Sequence, residues 1–205
     1  MTRGFLIVIS GPAGSGKGTV VKHILKENNN FTCSISATTR QKRFNEIENQ
    51  SYFFITEEEF IAKIKNDEML EYTQYIGNYY GTPKNYVEEM LEQGKNVILE
   101  IEVNGAMQIL NKIPDAVLIF FSPPTINELE KRLRARGTED EATIQKRMSR
   151  SLSEIKYIDD YNYLVINNEG NIQKAADEII AIVKAEQCKR RREVYIEKFL
   201  KNYTE

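Results

Sequence analysis

The chain has 205 residues, of which 41% are hydrophobic and 28% are charged, and its formal net charge is −2. This balance excludes a globally disordered chain and a constitutive nucleic-acid binder, and it predicts one globular core with small insertions. The only two cysteines, Cys33 and Cys188, cannot build a disulfide scaffold and fit a reducing cytosol. No apolar run approaches the ~20 residues that span a bilayer, so we expect a cytoplasmic protein without membrane association.

Four short apolar runs predict the strands of a sheet. They are rich in Ile, Val, Leu and aromatic residues, and they are continuous rather than alternating: Phe5–Ile9, Asn96–Ile101, Ala116–Phe121 and Tyr163–Ile166. Continuous apolar runs are typical of strands buried on both faces, which indicates a parallel sheet covered by helices.

Helical patterns lie between these strands. Thr19–Lys26 and Val87–Gln93 carry apolar stripes, and Asn171–Tyr195 is a long amphipathic stretch. Thr125 followed by Glu128 is a capping-box pattern at a third helix start. Strands that alternate with helices predict a doubly wound α/β core.

Two segments interrupt the alternation and divide the chain. Residues 36–86 hold many tyrosines, a strand-like run at Tyr52–Ile55 and a helix start at Thr56, and they predict an inserted lobe. Residues 136–150 are polar and charged without an apolar stripe, which predicts a short mobile lid. The core would then consist of residues 1–35, 87–135 and 151–205.

The strongest local signal is a glycine-rich turn between the first strand and the first helix, here called the phosphate loop. It comprises Gly11, Pro12, Ala13, Gly14, Ser15, Gly16, Lys17, Gly18 and Thr19. Such a loop points backbone N–H groups inward, and the helix start and the Lys17 ammonium add positive charge, so we predict a nucleoside triphosphate site. Gly18 stands where a serine or threonine normally helps to hold magnesium.

The predicted lobe carries groups suited to a second nucleotide. Arg40 and Arg43 are three residues apart, and arginine forks match phosphate oxygens. Tyr52 and the glycine-bounded turn at 77–82 supply hydroxyl groups, and Glu71 is a carboxylate with apolar neighbours. Taken alone, the arginines also fit a solvated basic patch.

These motifs together resemble the guanylate kinases in order and spacing, from Phe5 to about Asn167. The resemblance rests on the phosphate loop, the segment from Ser36 to Arg43, the turn at 77–82, the strand that ends at Leu99–Gly105, and the Arg-Gly-Thr of the lid. It implies a nucleoside monophosphate kinase fold: a P-loop core with an inserted GMP-binding lobe and a short lid.

The resemblance also implies roles for individual residues. Four groups would hold the GMP phosphate: Arg40, Arg43, Tyr52 and Tyr80. Four would contact guanine, with Glu71 reading N1–H and the 2-amino group: Ser36, Glu71, Thr82 and Glu102. The phosphate loop and Asn167 would bind ATP, and the catalytic cations would be Lys17, Arg40, Arg136 and Arg147, with Arg132 as an alternative to Arg136. Whether Glu100 or Glu102 serves the base or the metal side stays open.

The expected reaction is phosphoryl transfer from ATP to GMP, giving ADP and GDP for purine nucleotide metabolism. Mg²⁺ would arrive with ATP and retain waters, with no direct protein ligand, and dGMP is a further candidate acceptor. Two alternatives stay open: a kinase for another nucleoside monophosphate, and an inactive guanylate-kinase-like binding module. The sequence leaves the oligomeric state open between monomer and homodimer.

Overall fold

The computed structural model describes residues 3–75, 77–135, 137 and 140–201. Its central sheet has five parallel strands, in the sheet order β2 (Phe31–Cys33), β7 (Asn96–Glu100), β1 (Leu6–Ser10), β8 (Val117–Ser122) and β9 (Tyr163–Ile166). The four predicted runs therefore form strands of one parallel sheet, and the predicted fold class is confirmed. The edge strand β2 had no prediction.

Helices cover both faces of this sheet. α1 (Lys17–Glu27) and α7 (Ile172–Lys201) pack on one face, and α3 (Lys84–Glu92) and α4 (Val103–Lys112) pack on the other. The other helices described are α2 (Glu57–Lys65), α5 (Ile126–Ala135) and α6 (Glu141–Glu154), and a 3₁₀ helix follows α6 at Ile155–Asp160. Among the helices described, none carries an apolar stretch of the length and hydropathy that a bilayer crossing requires.

The alternation of side chains along β1 explains its continuous apolar sequence. Ile7 and Ile9 pack in the core beneath α1 and α7, whereas Leu6 and Val8 pack in the core beneath α3 and α4. All four are at most 5% exposed. Because each face meets its own helical layer, these four positions on both faces are apolar.

A second sheet lies within residues 36–86. Its strand order is β4 (Phe53–Phe54), β3 (Ala37–Thr38), β6 (Asn78–Pro83) and β5 (Met69–Tyr75). α2 packs on it through the fully buried Phe60, which stacks on Tyr79 at 5.3 Å between ring centroids. The helix start predicted at Thr56 is confirmed, and Thr56 and Glu59 cap it reciprocally.

The segment predicted as a lid contains more structure than its composition indicated. α6 begins after Asp140, whose side chain accepts a hydrogen bond from the Thr143 N–H, and it continues past residue 150 to Glu154. Ile144 is buried, so this segment packs against the rest of the molecule although it has no apolar stripe. The division into core, lobe and lid as separate units stays a prediction.

Candidate active site

The carboxyl ends of the parallel strands converge on one edge of the central sheet. The phosphate loop follows β1, Glu100 ends β7, and Asn167 comes directly after β9. Ligands of open α/β sheets bind at this edge, in the crevice beyond the strand ends. The topology therefore brings the predicted triphosphate site and one predicted carboxylate together.

Positive backbone φ angles shape the phosphate loop at Gly11, Gly14 and Gly16, with values of 135°, 94° and 95°. L-residues with side chains avoid this region, so glycine is required at these turns. Gly16 is also the N-cap of α1, and no side chain caps the helix there. No side chain therefore competes with an anion for the start of α1.

Lys17 lies across the mouth of the phosphate loop. Its Nζ donates hydrogen bonds to the carbonyl oxygens of Gly11 at 2.6 Å and Pro12 at 3.0 Å. The ammonium lines a cavity of about 250 Å³ together with Arg147 of α6. This cavity joins the phosphate loop to α6, the helix that contains most of the predicted lid, and three cations and two carboxylates line it: Lys17, Arg147, Arg150, Glu102 and Glu154.

Asn167 and Arg132 hold the phosphate loop in place through hydrogen bonds to the backbone of Ser15. The Asn167 side-chain amide is buried and donates to the Ser15 carbonyl at 2.8 Å. Arg132 donates to the Ser15 and Asn167 carbonyl oxygens at 3.3 and 2.9 Å, and its Nε pairs with Glu128 at 2.9 Å. These hydrogen bonds show that Asn167 supports the phosphate loop. Its contact with a nucleotide stays a prediction.

A second cavity of about 320 Å³ opens between the two sheets. It brings together five of the residues that the sequence predicted for the second nucleotide: Ser36, Tyr52, Glu71, Tyr80 and Glu102. Glu100 and Gly105 also line it. Residues separated by up to about 70 positions in the chain thus share one pocket.

Glu71 is the buried carboxylate of this cavity. It is 5% exposed, and its Oε1 accepts a hydrogen bond from the Thr82 hydroxyl at 2.7 Å. Burial raises the pKa of Glu71 to about 7, the nearby charge of Glu102 adds to the rise, and the Thr82 hydrogen bonds oppose it. A buried carboxylate with one oxygen turned to a cavity is suited to accept N–H donors from a ligand.

Gly105 gives that carboxylate its space. A Cβ at this position of α4 would lie 2.7 Å from Glu71 Oε2, which is closer than side-chain contacts allow. Sequence reasoning missed this role because a glycine in a helical pattern carries no sign of what faces it.

Glu100 faces the phosphate loop. A Cβ on Gly18 would lie 3.3 Å from Glu100 Oε1, so the carboxylate stands where a side chain at position 18 would begin. The surrounding walls desolvate Glu100 and raise its pKa, and the charges of Lys17 and Lys22 oppose that rise. Glu100 also lines the cavity that holds Glu71, and Glu102 lines both cavities, so the division of roles between the two carboxylates stays open.

Glu46 organises the end of the lobe where the sequence predicts that the phosphate of the second nucleotide binds. Arg40 donates to both of its carboxylate oxygens, at 2.9 and 2.7 Å, and the Arg43 backbone N–H donates to it at 2.8 Å. These hydrogen bonds lower the pKa of Glu46 to about 2, and the charges of Arg40 and Arg43 add to the effect. Tyr52 packs beneath the Arg40 guanidinium at 5.4 Å from its ring centroid. The sequence analysis did not anticipate Glu46.

The predicted lid arginines have different outcomes. Arg147 lines the cavity that holds Lys17, as described above. Arg136 lies outside the described residues. Arg150, which no sequence pattern singled out, lines the same cavity and pairs with Glu102 at 2.6 Å.

Comparison with known proteins gives one consistent result. The family model described as "Guanylate kinase" matches residues 3–186. The curated "Guanylate kinase" of Lactiplantibacillus plantarum is 50% identical over 186 residues, covering 90% of this chain and 89% of the relative. That of Halalkalibacterium halodurans is 48% identical over 197 residues, covering 96% and 95%. The crystal structure of guanylate kinase from Anaplasma phagocytophilum superimposes with a TM-score of 0.69 at 30% identity, covering 91% of this chain and 87% of that one.

Proposed function

Since this chain belongs to the guanylate kinase family, we propose that it transfers the γ-phosphoryl group of ATP to GMP, with ADP and GDP as products. The observation that carries the proposal is the pair of adjoining cavities. One holds the buried carboxylate of Glu71, and the other joins the phosphate loop to Arg147. A carboxylate for the base and a cavity for phosphates that share the lining residues Tyr75 and Glu102 suit transfer between two nucleotides.

Guanine recognition is assigned to Glu71. A carboxylate accepts two hydrogen bonds side by side, and guanine offers N1–H and a 2-amino group next to each other. Adenine offers neither of these donors, so it would leave the Glu71 carboxylate buried without partners. Mismatches of this kind reduce kcat/KM by up to about 10⁴–10⁵. The hydrogen bond from Thr82 keeps the Glu71 carboxylate aimed in one direction.

The phosphate of GMP is assigned to Arg40, Arg43, Tyr52 and Tyr80. At pH 7 this phosphate is mostly a dianion, because its second pKa is about 6. It is therefore already nucleophilic, and the enzyme needs no general base. Arg40 is held ready by Glu46 and by the Tyr52 ring, which fixes its fork before the ligand arrives.

The triphosphate of ATP is assigned to the phosphate loop. The N–H groups at the start of α1 and the Lys17 ammonium bind its oxygens, while Asn167 keeps the loop in shape through Ser15. Arg147 and Arg136 would approach the transferred phosphoryl group from the lid and neutralise the charge that develops there. Closure of the lid would also exclude water, which competes with GMP as the acceptor.

Mg²⁺ fits the residues present beside the phosphate loop. A hydroxyl at position 18 is missing, but the carboxylate of Glu100 occupies the adjoining space. Glu100 would hold the ion through its waters, and Thr19 is the next hydroxyl along the chain. When bound, the ion neutralises charge on the β- and γ-phosphate oxygens.

Two finer expectations belong to this proposal. The residues assigned to GMP contact its base and its phosphate, and none is assigned to the 2′-hydroxyl, so we expect dGMP to be a second acceptor. A cytosolic location, where both nucleotides occur, stays a prediction of the sequence.

The test is the formation of ADP from ATP with GMP, AMP, UMP or dTMP as the acceptor. We expect turnover with GMP to exceed turnover with the other three by at least about 10³-fold. Equal use of AMP would reject the guanine assignment. ATP binding without turnover on any acceptor would identify the chain as an inactive binding module.

A further inference from the structure

Arg150 of the lid helix makes a contact that the reaction described so far does not use. Its Nη2 donates to Oε2 of Glu102 at 2.6 Å, and its Nε donates to Oε1 of Glu154 at 3.0 Å. Glu154 lies one turn further along α6 and is buried, so it fixes the direction in which the guanidinium points. The helix α6 is thereby joined to Glu102, a carboxylate of the cavity that also holds Glu71.

Glu102 has little else to hold it. It is the N-cap residue of α4, but its side chain makes no capping hydrogen bond to that helix. Within the described residues, its second oxygen Oε1 accepts no hydrogen bond, and its side chain is 52% exposed. The contact with Arg150 therefore sets the orientation of a carboxylate that lines the cavity of Glu71, and it engages only one of the two oxygens.

The chemistry of guanine gives this orientation a use. Its 2-amino group has two N–H donors, and the cavity offers two carboxylates, Glu71 and Glu102, on its wall. Glu71 accepts from N1–H and from one amino hydrogen, which leaves the other amino hydrogen for Glu102. Hypoxanthine, the base of IMP, keeps N1–H and lacks the amino group.

We propose that Arg150 is a positioning residue that orients Glu102 toward the 2-amino group of guanine. The inference rests on the proposed function and adds to it a link between base recognition and the lid. Because Arg150 belongs to α6, the guanine site is complete only when α6 lies close enough for Arg150 to reach Glu102. GMP, which has the amino group, therefore benefits from this arrangement more than IMP.

The experiment compares kcat/KM for GMP and for IMP at saturating ATP. Arg150→Met keeps the aliphatic bulk and removes the donors, and we expect the GMP-to-IMP ratio to fall about tenfold with the KM for ATP unchanged. Arg150→Lys keeps a donor and is expected to recover most of the ratio. Unchanged melting temperatures exclude a folding defect.

A matched control and a double variant separate positioning from other effects. Arg134 also pairs with two carboxylates, Glu130 and Glu141, but neither of these lines the cavity, so Arg134→Ala should keep the ratio. In the Glu102→Gln background, adding Arg150→Met should lower the ratio no further.

Three results would overturn the inference. They are an unchanged ratio in Arg150→Met, an equal loss for both acceptors, and a full additional loss in the Glu102→Gln background. Failure of the proposed function is distinguishable from these results, because in that case the unmodified protein would form no GDP.

Discussion

The raised pKa of Glu71 makes binding of GMP a proton-linked event. At a pKa of about 7, about half of the unliganded molecules carry a protonated Glu71 at pH 7. Guanine needs the carboxylate form, because only that form accepts both N1–H and an amino hydrogen. Binding of GMP should therefore release about half a proton from Glu71 at pH 7, and nearly a full proton at pH 6.

Calorimetry measures this release. GMP is titrated at pH 7 in two buffers of different ionisation enthalpy, for the unmodified protein and for Glu71→Gln. The second ionisation of the GMP phosphate contributes equally to both proteins, so the difference between them isolates Glu71. We expect the variant to release about half a proton less and to bind GMP about 10- to 150-fold more weakly. Equal proton release by both proteins would refute the reasoning.

The raised pKa of Glu71 also makes the free energy of unfolding depend on pH in a defined direction. The pKa of Glu71 is raised above its unfolded value of 4.5, so its favourable contribution to folding is present below pH 4.5 and is lost as pH rises through about 7. The loss amounts to at most about 3 kcal/mol. Without nucleotide, Glu71→Gln should therefore gain free energy of unfolding relative to the unmodified protein as pH rises from 4.5 to 8. A constant difference across this range would contradict the assignment.

Three further predictions follow from contacts at the same site. Lys17→Ala should lower kcat by at least about 10³-fold while far-UV circular dichroism stays unchanged, and near-normal turnover would remove the phosphate loop from the mechanism. Gly105→Ala should raise the KM for GMP at least about tenfold and leave the KM for ATP unchanged, because the added methyl group would displace the Glu71 carboxylate. A normal KM for GMP would show that the Glu71 carboxylate does not need the space beside Gly105. Thr82→Val removes a hydrogen bond that lowers the pKa of Glu71, so the pH midpoint of GMP affinity should move upward, and a midpoint that stays in place or moves downward would contradict this.

Local patterns were sufficient to predict the core. The runs that became β1, β7, β8 and β9 are apolar throughout because helices cover both faces, and this leaves a direct trace in the sequence. The phosphate loop was equally readable, since its glycines and Lys17 are consecutive. β2 left no such trace because it has only three residues, all of them partly exposed.

Contacts between distant segments account for what could not be predicted. Gly105 is 34 residues from Glu71, and Arg150 is 48 residues from Glu102. In the sequence alone, a glycine within a helical pattern and an arginine in a charged segment both look like ordinary surface positions. Their roles depend on how α4 packs against β5 and on how α6 meets the start of α4, and this placement follows from tertiary packing.

The most direct test of the central claim follows the transferred group itself. With ATP labelled in its γ-phosphoryl group, and with GMP and Mg²⁺ present, we expect the label to appear at the β position of GDP in step with ADP formation. Label recovered only as inorganic phosphate, or only in ATP, would contradict the claim that this cleft joins two nucleotides for phosphoryl transfer.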